Sequence, residues 1–379
     1  IEYGVPVEGI TYCIIEDSKN NIWLGTKGEG VYKLIPVGDF YKIEHYSHSV
    51  DDLFSLSHNS VYAITEDKKQ RIWVGTYGGG LNLLDEKEKK FINHRNNLKN
   101  YPLQFGSQIR TMLPDKFGNI CIGTTLGLIL FSSDFISPSD IDYKFYTRIP
   151  EDNDSLSEND VYDICTTSNG ETYFATFGGG LNKVAAVDPK GFPTKFISYT
   201  TKDGLASDVI LTLTEDMEGK LWIASEGNLT KFDPEKNSFE TYSEVNRLIA
   251  GQNFSEGSRW TSHSGTIYVG YSKVVLAIDP DNINKNTFKP YVALTRFQIA
   301  NKNVPSGGDS PLTENIDDIE KIKRNYKQNF INIEFVALGY VEPKCVAYAY
   351  KLDGVDEDWV VTKEQRIANY NNLSPGNDI

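Results

Sequence analysis

Hydrophobic and polar residues alternate along this chain in a block that repeats. A representative block holds the run Val61-Tyr62-Ala63-Ile64-Thr65, then a polar turn, then the run Ile72-Trp73-Val74-Gly75-Thr76. Alternation with a period of two is typical of β-strands with one buried face. The second run occurs six times at intervals of 46 to 52 residues, with central residues Trp23, Trp73, Cys121, Tyr173, Trp222 and Tyr268. Such a period predicts repeated four-stranded units.

A turn signal separates the two runs in every copy. Six residues before the central residue stand, in chain order, Asp17, Asp67, Asp115, Thr167, Asp216 and Ser262. Three residues further on stands Asn, Gln or Gly. An aspartate accepts hydrogen bonds from the backbone N–H groups ahead of it, and Gly or Asn tolerates positive φ. We therefore interpret Asp17, Asp67, Asp115 and Asp216 as structural turn residues.

Each pair of runs is followed by a third and a fourth strand, such as residues 81–85 and 91–95. A single meander of this size cannot bury both of its faces, so copies stack radially into a β-propeller. We predict an all-β fold with a propeller of four-stranded blades over residues 1–289. Six repeats are visible. Either residues 1–4 close a six-bladed ring, or a seventh blade precedes Ile1. Recurrence of Trp23, Trp73 and Trp222 at one register indicates packing between blades.

The pattern changes from about residue 291. Strand-like runs lie at 292–300, 330–336, 346–352, 359–360 and 367–370. Alternating runs divided by frequent turns predict a small, partial immunoglobulin-like β-sandwich over residues 290–379. Sustained helical periodicity is missing, so we expect very little helix, and the chain has no apolar run of membrane-spanning length.

Composition narrows the classes of partner. The chain has 38 basic and 52 acidic residues, a net charge of −14, and 39% hydrophobic residues. This balance is ordinary for a globular protein and unfavourable for binding nucleic acid. Cys13, Cys121, Cys165 and Cys345 are far apart with no C-x-x-C spacing, so we expect buried thiols rather than a zinc site.

Catalytic motifs are not evident. The glycine triplets at 78–80 and 178–180 lead into no helix, which favours turns over a phosphate loop. The repeat aspartates stand in separate blades, whereas a glycosidase needs two carboxylates in one pocket. His45 and His48 have no third ligand in the sequence around them. We predict no catalytic residue, no metal and no cofactor.

Binding residues are expected in the loops of one propeller face. In a four-stranded blade, the loop between the second and third strands emerges beside the connection to the next blade, and loops on a rigid scaffold commonly carry function. Tyr77 and Phe177 are predicted to stack on a sugar ring. The predicted polar ligand-binding residues are Lys27, His48, Arg95 and Arg148, because cationic side chains suit hydroxyl and carboxylate groups.

The repeat core from Val61 through Leu81 resembles the two-component regulator propeller repeat, and Asp203-Gly204-Leu205-Ala206-Ser207-Asp208 resembles its introductory linker. The tail is similar to the triple-tyrosine domain, through Asn329-Phe330-Ile331-Asn332-Ile333-Glu334-Phe335, Tyr348-Ala349-Tyr350-Lys351-Leu352-Asp353-Gly354 and Tyr370-Asn371-Asn372-Leu373-Ser374-Pro375-Gly376. The order of modules resembles the periplasmic sensor region of hybrid two-component regulators. The family pattern has a tyrosine where Asp378 stands. In that pattern further strands follow, whereas this sequence stops at Ile379, so we expect a sandwich truncated at its C-terminus.

The resemblance implies the second propeller and part of the sandwich of a membrane-anchored hybrid histidine kinase. It further implies a periplasmic location, an oligosaccharide ligand, control of polysaccharide-utilisation genes and a homodimeric receptor. A preceding propeller and following transmembrane and kinase segments would belong to the same chain. Kinase chemistry would then lie outside this sequence.

Two alternatives remain open at this point. A secreted propeller lyase or glycosidase with an appended carbohydrate-binding sandwich predicts converging carboxylates, or a Tyr/His/Arg group, in the central pocket. A protein-interaction scaffold predicts binding of another polypeptide and no sugar.

Overall fold

Two units make up the computed structural model, Ile1–Ile283 and Asn284–Ile379. The structure describes residues 7–242, 254–272, 274–283, 290–338, 348–362 and 365–374. The first unit contains the predicted row of antiparallel meanders, which confirms the all-β propeller fold. The predicted closing strand at residues 1–4 lies outside the described residues.

The blades follow one another in chain order, each with strands A to D. In blade 1 the strands are Ile10–Glu16, Ile22–Lys27, Val31–Val37 and Phe40–Tyr46. In blade 2 they are Val61–Glu66, Ile72–Thr76, Gly80–Asp85 and Lys90–Asn93. In blade 3 they are Ile109–Pro114, Asn119–Thr124, Gly127–Ser132 and Lys144–Tyr146. Blades 4 and 5 comprise Val161–Thr166, Thr172–Thr176, Gly180–Val187 and Pro193–Tyr199, then Ile210–Glu215, Leu221–Ser225, Asn228–Asp233 and Ser238–Tyr242. Blade 6 has Phe254–Thr261, Ile267–Tyr271 and Val274–Ile278 as strands A to C.

The turn between strands A and B is built by its aspartate. In blade 1, Oδ1 of Asp17 accepts the backbone N–H groups of Lys19 and Asn21, and the indole Nε1 of Trp23 donates to Oδ2 at 2.8 Å. The same indole bond of 2.8 Å joins Trp73 to Asp67. Trp222 and Asp216 repeat it in blade 5. The aspartate thereby ties the tight turn to the large side chain that enters the core.

Blade 3 keeps this turn without its indole. Asp115 still accepts the N–H groups of Phe117 and Asn119, but Cys121 stands in the tryptophan position. Burial raises the pKa of Asp115. Burial pushes the pKa of Asp17 in the same direction, but there the hydrogen bonds from Trp23, Asn21 and the backbone outweigh it and lower that pKa. A cavity of about 350 Å³ borders both Asp115 and Cys121.

Large side chains of strand B fill the cores between neighbouring blades. Trp23 packs against blade 2, Trp73 against blade 3 and Trp222 against blade 6, and all three are at most 1% exposed. Five such hydrophobic clusters are present, and each joins two consecutive blades, from blades 1 and 2 to blades 5 and 6. This arrangement explains why one register recurs in the sequence.

The end blades of this row each expose side chains whose equivalents are buried in blade 2. Ile14 of blade 1 is 64% exposed, whereas Ile64, its equivalent in blade 2, is 4% exposed. Trp260 on the opposite face of blade 6 is 57% exposed, whereas the equivalent Thr65 is 5% exposed. The described residues therefore form six blades in a row, with no apolar cluster described between blade 6 and blade 1.

The second unit is a small β-structure with two sheets around one core. The larger sheet has the order Lys302–Asn303, Tyr291–Ile299, Ile331–Leu338 and Ile367–Tyr370, and the smaller pairs Tyr348–Tyr350 with Val360–Thr362. Phe335 from the larger sheet and Tyr348 from the smaller share one buried cluster. Asp378 and Cys345 lie outside the described residues.

Helix is confined to short segments of the described chain. The described residues include the α-helix Leu103–Gly106 and the 3-10 helix Pro138–Asp140, which confirms the expected scarcity of helix. In the ranges that the structure describes, no helix is long and apolar enough to span a membrane.

Candidate functional site

A β-bulge in strand A of the propeller blades builds the candidate site. The ladder register shifts around Tyr12 in blade 1, Tyr62 in blade 2, Arg110 in blade 3 and Tyr162 in blade 4. A bulge leaves one residue unpaired and re-aims its side chain. The A strands of successive blades pack on one another. All four bulged residues line a single cavity of about 450 Å³, which we call the axial cavity.

Aromatic rings and one guanidinium form a continuous series at this cavity. Ring centroids are 4.1 Å apart for Tyr12 and Tyr62, and 4.9 Å apart for Tyr62 and Tyr77. The Arg110 guanidinium lies 5.8 Å from the Tyr77 ring and 4.0 Å from the Tyr162 ring. Phe177 stacks on Tyr162 at 5.3 Å. We call these six residues the aromatic arc.

Arg110 is the charged member of the arc and is paired with two carboxylates. Its Nε and Nη2 donate to the two oxygens of Asp160 at 2.7 and 3.0 Å, and its Nη1 donates to Glu256 at 3.0 Å. The side chain of Arg110 is 13% exposed, and that of Glu256 is 42% exposed. Partial burial and the nearby Asp160 carboxylate raise the pKa of Glu256, although Arg110 opposes the shift.

Two tyrosines of the arc have raised pKa values. Burial and a hydrogen bond with Tyr12 raise the pKa of Tyr62 above its ordinary value. Burial also raises the pKa of Tyr162. Neutral phenols offer aromatic faces together with hydroxyl groups, a combination suited to a ligand with both apolar and polar surfaces.

A buried ion pair secures blade 6 beside the arc. Arg259 stands where the other blades carry Ile14, Ile64 or Leu213, and its guanidinium donates to Asp163 of blade 4 at 2.6 Å. Asp163 also accepts the Thr212 hydroxyl at 2.8 Å. Since the Asp163 side chain is 2% exposed, this pair ties blades 4, 5 and 6 together inside the propeller.

Three of the six predicted ligand-binding residues reach the arc. Tyr77 and Phe177 are members of it; Tyr77 is half-buried, and Phe177 is 44% exposed. Lys27 is exposed, and its Nζ lies 5.9 Å from the centre of the Tyr12 ring. The loops between strands B and C therefore bring these three side chains to the aromatic arc.

The other three predicted ligand-binding residues are held in the connections between blades. Nδ1 of His48 donates to the Leu56 carbonyl at 2.7 Å. The Arg95 guanidinium donates to the carbonyls of Ser49, Val50 and Asp52. Arg148 lies 3.6 Å from Glu158. These contacts order the connecting loops, and none of them joins the arc.

Sequence reasoning missed most of the arc. The sequence pattern does not identify Tyr12, Tyr62, Arg110 and Tyr162, because a period-two pattern assigns each strand residue to one of two faces, whereas a bulged residue faces the axis. It does not identify Glu256, which pairs with Arg110, either. The available signal is the tyrosine two residues before the core aliphatic of strand A in blades 1, 2 and 4, and its replacement by Arg110 in blade 3. Within the described ranges, no three His, Cys, Asp or Glu side chains converge as metal ligands would.

Models of known protein families match the sequence of both units. The two component regulator propeller model matches residues 4–28, 55–78 and 204–227, and the Y_Y_Y domain model matches residues 339–377. The fold is thus a β-propeller followed by a β-sandwich. The chain carries two-component regulator propeller repeats and a Y_Y_Y domain, in the order that the sequence predicted.

Individual relatives extend beyond this chain. A protein of Formosa agariphila named histidine kinase P4 is 26% identical over 272 residues, which are 72% of this chain and 19% of that protein. The extracellular domain of BT4673 from B. thetaiotaomicron, described as a one component system, has a TM-score of 0.56 and 20% identity, covering 99% of this chain and 53% of that one. The chain thus spans about a fifth of the first relative and about half of the second.

Virginiamycin B lyase from Staphylococcus aureus shares the fold more distantly. Its TM-score is 0.51 and its identity 11%, with 74% of this chain and 85% of the lyase covered. At this level of identity the similarity concerns the propeller fold.

Proposed function

We propose that this chain is the ligand-sensing part of a membrane-anchored hybrid histidine kinase and that it binds an oligosaccharide at the aromatic arc. The observation that carries the proposal is the arc itself: five aromatic rings and one arginine brought together by bulges and loops of four blades. Sugar rings present apolar C–H faces and polar edges, which aromatic faces and fixed hydrogen-bonding groups complement.

Signalling would follow from differential affinity. A ligand shifts a receptor between two arrangements only by binding one of them more tightly. The propeller would bind the saccharide, and the Y_Y_Y domain would pass the change to transmembrane and kinase segments of a homodimeric receptor. Control of polysaccharide-utilisation genes from the periplasm would be the corresponding biological role, and the similarity to a histidine kinase supports the signalling part of the proposal.

The test is ligand binding to the arc without turnover. A thermal-shift and calorimetric screen of plant, host and microbial oligosaccharides would identify a ligand, since saturating ligand stabilises the native state. We expect Tyr77→Ala and Phe177→Ala each to weaken binding by about 1 to 3 kcal/mol through lost aromatic contacts.

A matched control distinguishes the arc from general surface effects. Phe40 is 74% exposed on strand D of blade 1 and has no contact with the arc described, so Phe40→Ala should leave affinity unchanged. Equal losses in all three variants, or no loss in Tyr77→Ala and Phe177→Ala, would contradict the proposed site. Release of product from a bound saccharide would favour a lyase or glycosidase instead.

A further inference from the structure

Arg110 interrupts the series of tyrosines at the axial cavity. Blades 1, 2 and 4 place Tyr12, Tyr62 and Tyr162 at the bulge, and blade 3 places Arg110 there. Its guanidinium lies over the Tyr162 ring at 4.0 Å. An arginine remains charged in proteins and presents a planar fork that matches a carboxylate. The arc therefore contains a fixed carboxylate-binding group.

The two carboxylates on Arg110 are held unequally. Asp160 receives two of the three hydrogen bonds, and its backbone carbonyl also accepts the N–H of Phe177. Glu256 receives a single hydrogen bond at 3.0 Å. One guanidinium balances one carboxylate, so Glu256 adds uncompensated negative charge beside Asp160. The negative charge of Asp160 also contributes, after burial, to the raised pKa of Glu256.

The backbone around Glu256 leaves it free to move. In blade 6 the paired residues of strand A are Phe254 and then Arg259, so residues 255–258 form an irregular segment of the ladder. Gly257 has a φ of 59° and open space at the position of a Cβ. The Glu256 carboxylate can therefore leave Arg110 while the pairing of Arg259 with Val269 and the bond from Arg259 to Asp163 stay intact.

We infer that Glu256 occupies the place of a ligand carboxylate and that the arc recognises a uronic acid residue of an oligosaccharide. The uronate replaces Glu256 on Nη1 of Arg110, and its sugar ring packs against the exposed Phe177 and the half-buried Tyr77. This inference rests on the proposed function, because it assigns a substrate class to the same site. It extends that function by making a side chain of the receptor the competitor of its ligand.

Displacement of Glu256 has a structural consequence. The Arg110–Glu256 pair joins blade 3 to blade 6 across the axial cavity. When the uronate takes that place, blade 6 loses this tie and keeps the one from Arg259 to Asp163. Blade 6 precedes the second unit in the chain, so an exchange of carboxylates biases the arrangement of the last blade.

The experiment is calorimetry on the whole chain with oligomers of galacturonate, glucuronate and mannuronate, and with neutral oligomers of the same length. Glu256→Gln keeps the size of the side chain and removes its charge. We expect it to tighten uronate binding about tenfold and to leave neutral sugars unaffected. We expect Arg110→Gln to weaken uronate binding at least tenfold, and Arg110→Lys to recover only part of it, because a lysine lacks the planar fork.

Different outcomes separate this inference from the proposed function. Neutral oligomers binding at the arc as tightly as uronates would overturn the inference and leave saccharide sensing intact. Uronate binding that does not change in Glu256→Gln would also overturn it, and this readout does not depend on how well the Arg110 variants fold. Failure of every saccharide to bind either wild type or Glu256→Gln would overturn the proposed function itself.

Discussion

Replacing Trp73 by phenylalanine tests the central structural element of the repeat. The Trp73 side chain is fully buried between blades 2 and 3, and its indole Nε1 donates to Oδ2 of Asp67 at 2.8 Å. Phenylalanine retains much of the aromatic packing but cannot donate this hydrogen bond. The buried Asp67 carboxylate then keeps its bonds from Lys69 and Arg71 and loses the indole.

The expected loss follows from the two changes. A hydrogen bond to a charged group contributes about 1.5 to 3 kcal/mol to stability, and the smaller ring leaves a cavity that costs roughly another 1 kcal/mol. Together they lower the free energy of unfolding by about 3 kcal/mol. For a unit of this size the unfolding entropy is about 0.6 kcal/mol per kelvin, so the Tm falls by about 5 °C.

Urea denaturation and thermal melts of wild type, Trp73→Phe, Asp67→Asn and the double variant measure this effect. If the hydrogen bond is responsible, Trp73→Phe costs about 1 to 2 kcal/mol less in the Asp67→Asn background, because the charged acceptor is already gone. A Tm change below about 1 °C for Trp73→Phe, or an equal loss in both backgrounds, would refute the reasoning.

Three further predictions concern individual positions of the repeat. Cys121→Trp should raise the Tm by restoring the indole beside the blade 3 cavity. Cys121→Phe lacks the hydrogen-bond donor and should raise the Tm less. A higher Tm for Cys121→Phe than for Cys121→Trp in thermal melts would contradict this prediction. Arg259→Met leaves Asp163 buried without its cation, so denaturation should show a loss of about 3 to 5 kcal/mol. Ile64→Ala should cost about 2 to 5 kcal/mol, whereas the exposed Ile14→Ala should cost below about 0.5 kcal/mol; equal costs would show that blade 1 is covered in solution.

The strands and their order were predictable because the same pattern of alternating residues and turn residues occurs six times. Trp23, Trp73 and Trp222 share one register, and the turn aspartates precede them at a constant distance. Local turn chemistry and alternating burial therefore agreed in every copy.

The axial part of the site was not predictable from the same pattern. Tyr62 and Arg110 lie at β-bulges. A bulge is defined by the pairing of strand A with strand B of the same blade, so the sequence of strand A alone does not show it. Glu256 meets Arg110 across 146 residues of chain, and no local signal reports such a pairing. His48 and Arg95 are predicted to bind ligand because of their residue types. In the structure they bind backbone carbonyls of a connecting loop, and residue type alone does not reveal such partners.

The uncovered faces of blades 1 and 6 also bear on how the propeller unfolds. In a stacked repeat, stability is a sum of blade terms and nearest-neighbour interface terms, so a blade with one covered face has lost half of its interface contribution. Local opening then begins at the ends of the row, and amide hydrogens of strands in blade 1 exchange earlier than those in blades 3 and 4. Blade 6 is protected at one end of the row by its two charged ties, Arg259 to Asp163 and Glu256 to Arg110. If a ligand carboxylate displaces Glu256 as proposed, occupancy of the arc would change the amide exchange rates of blade 6.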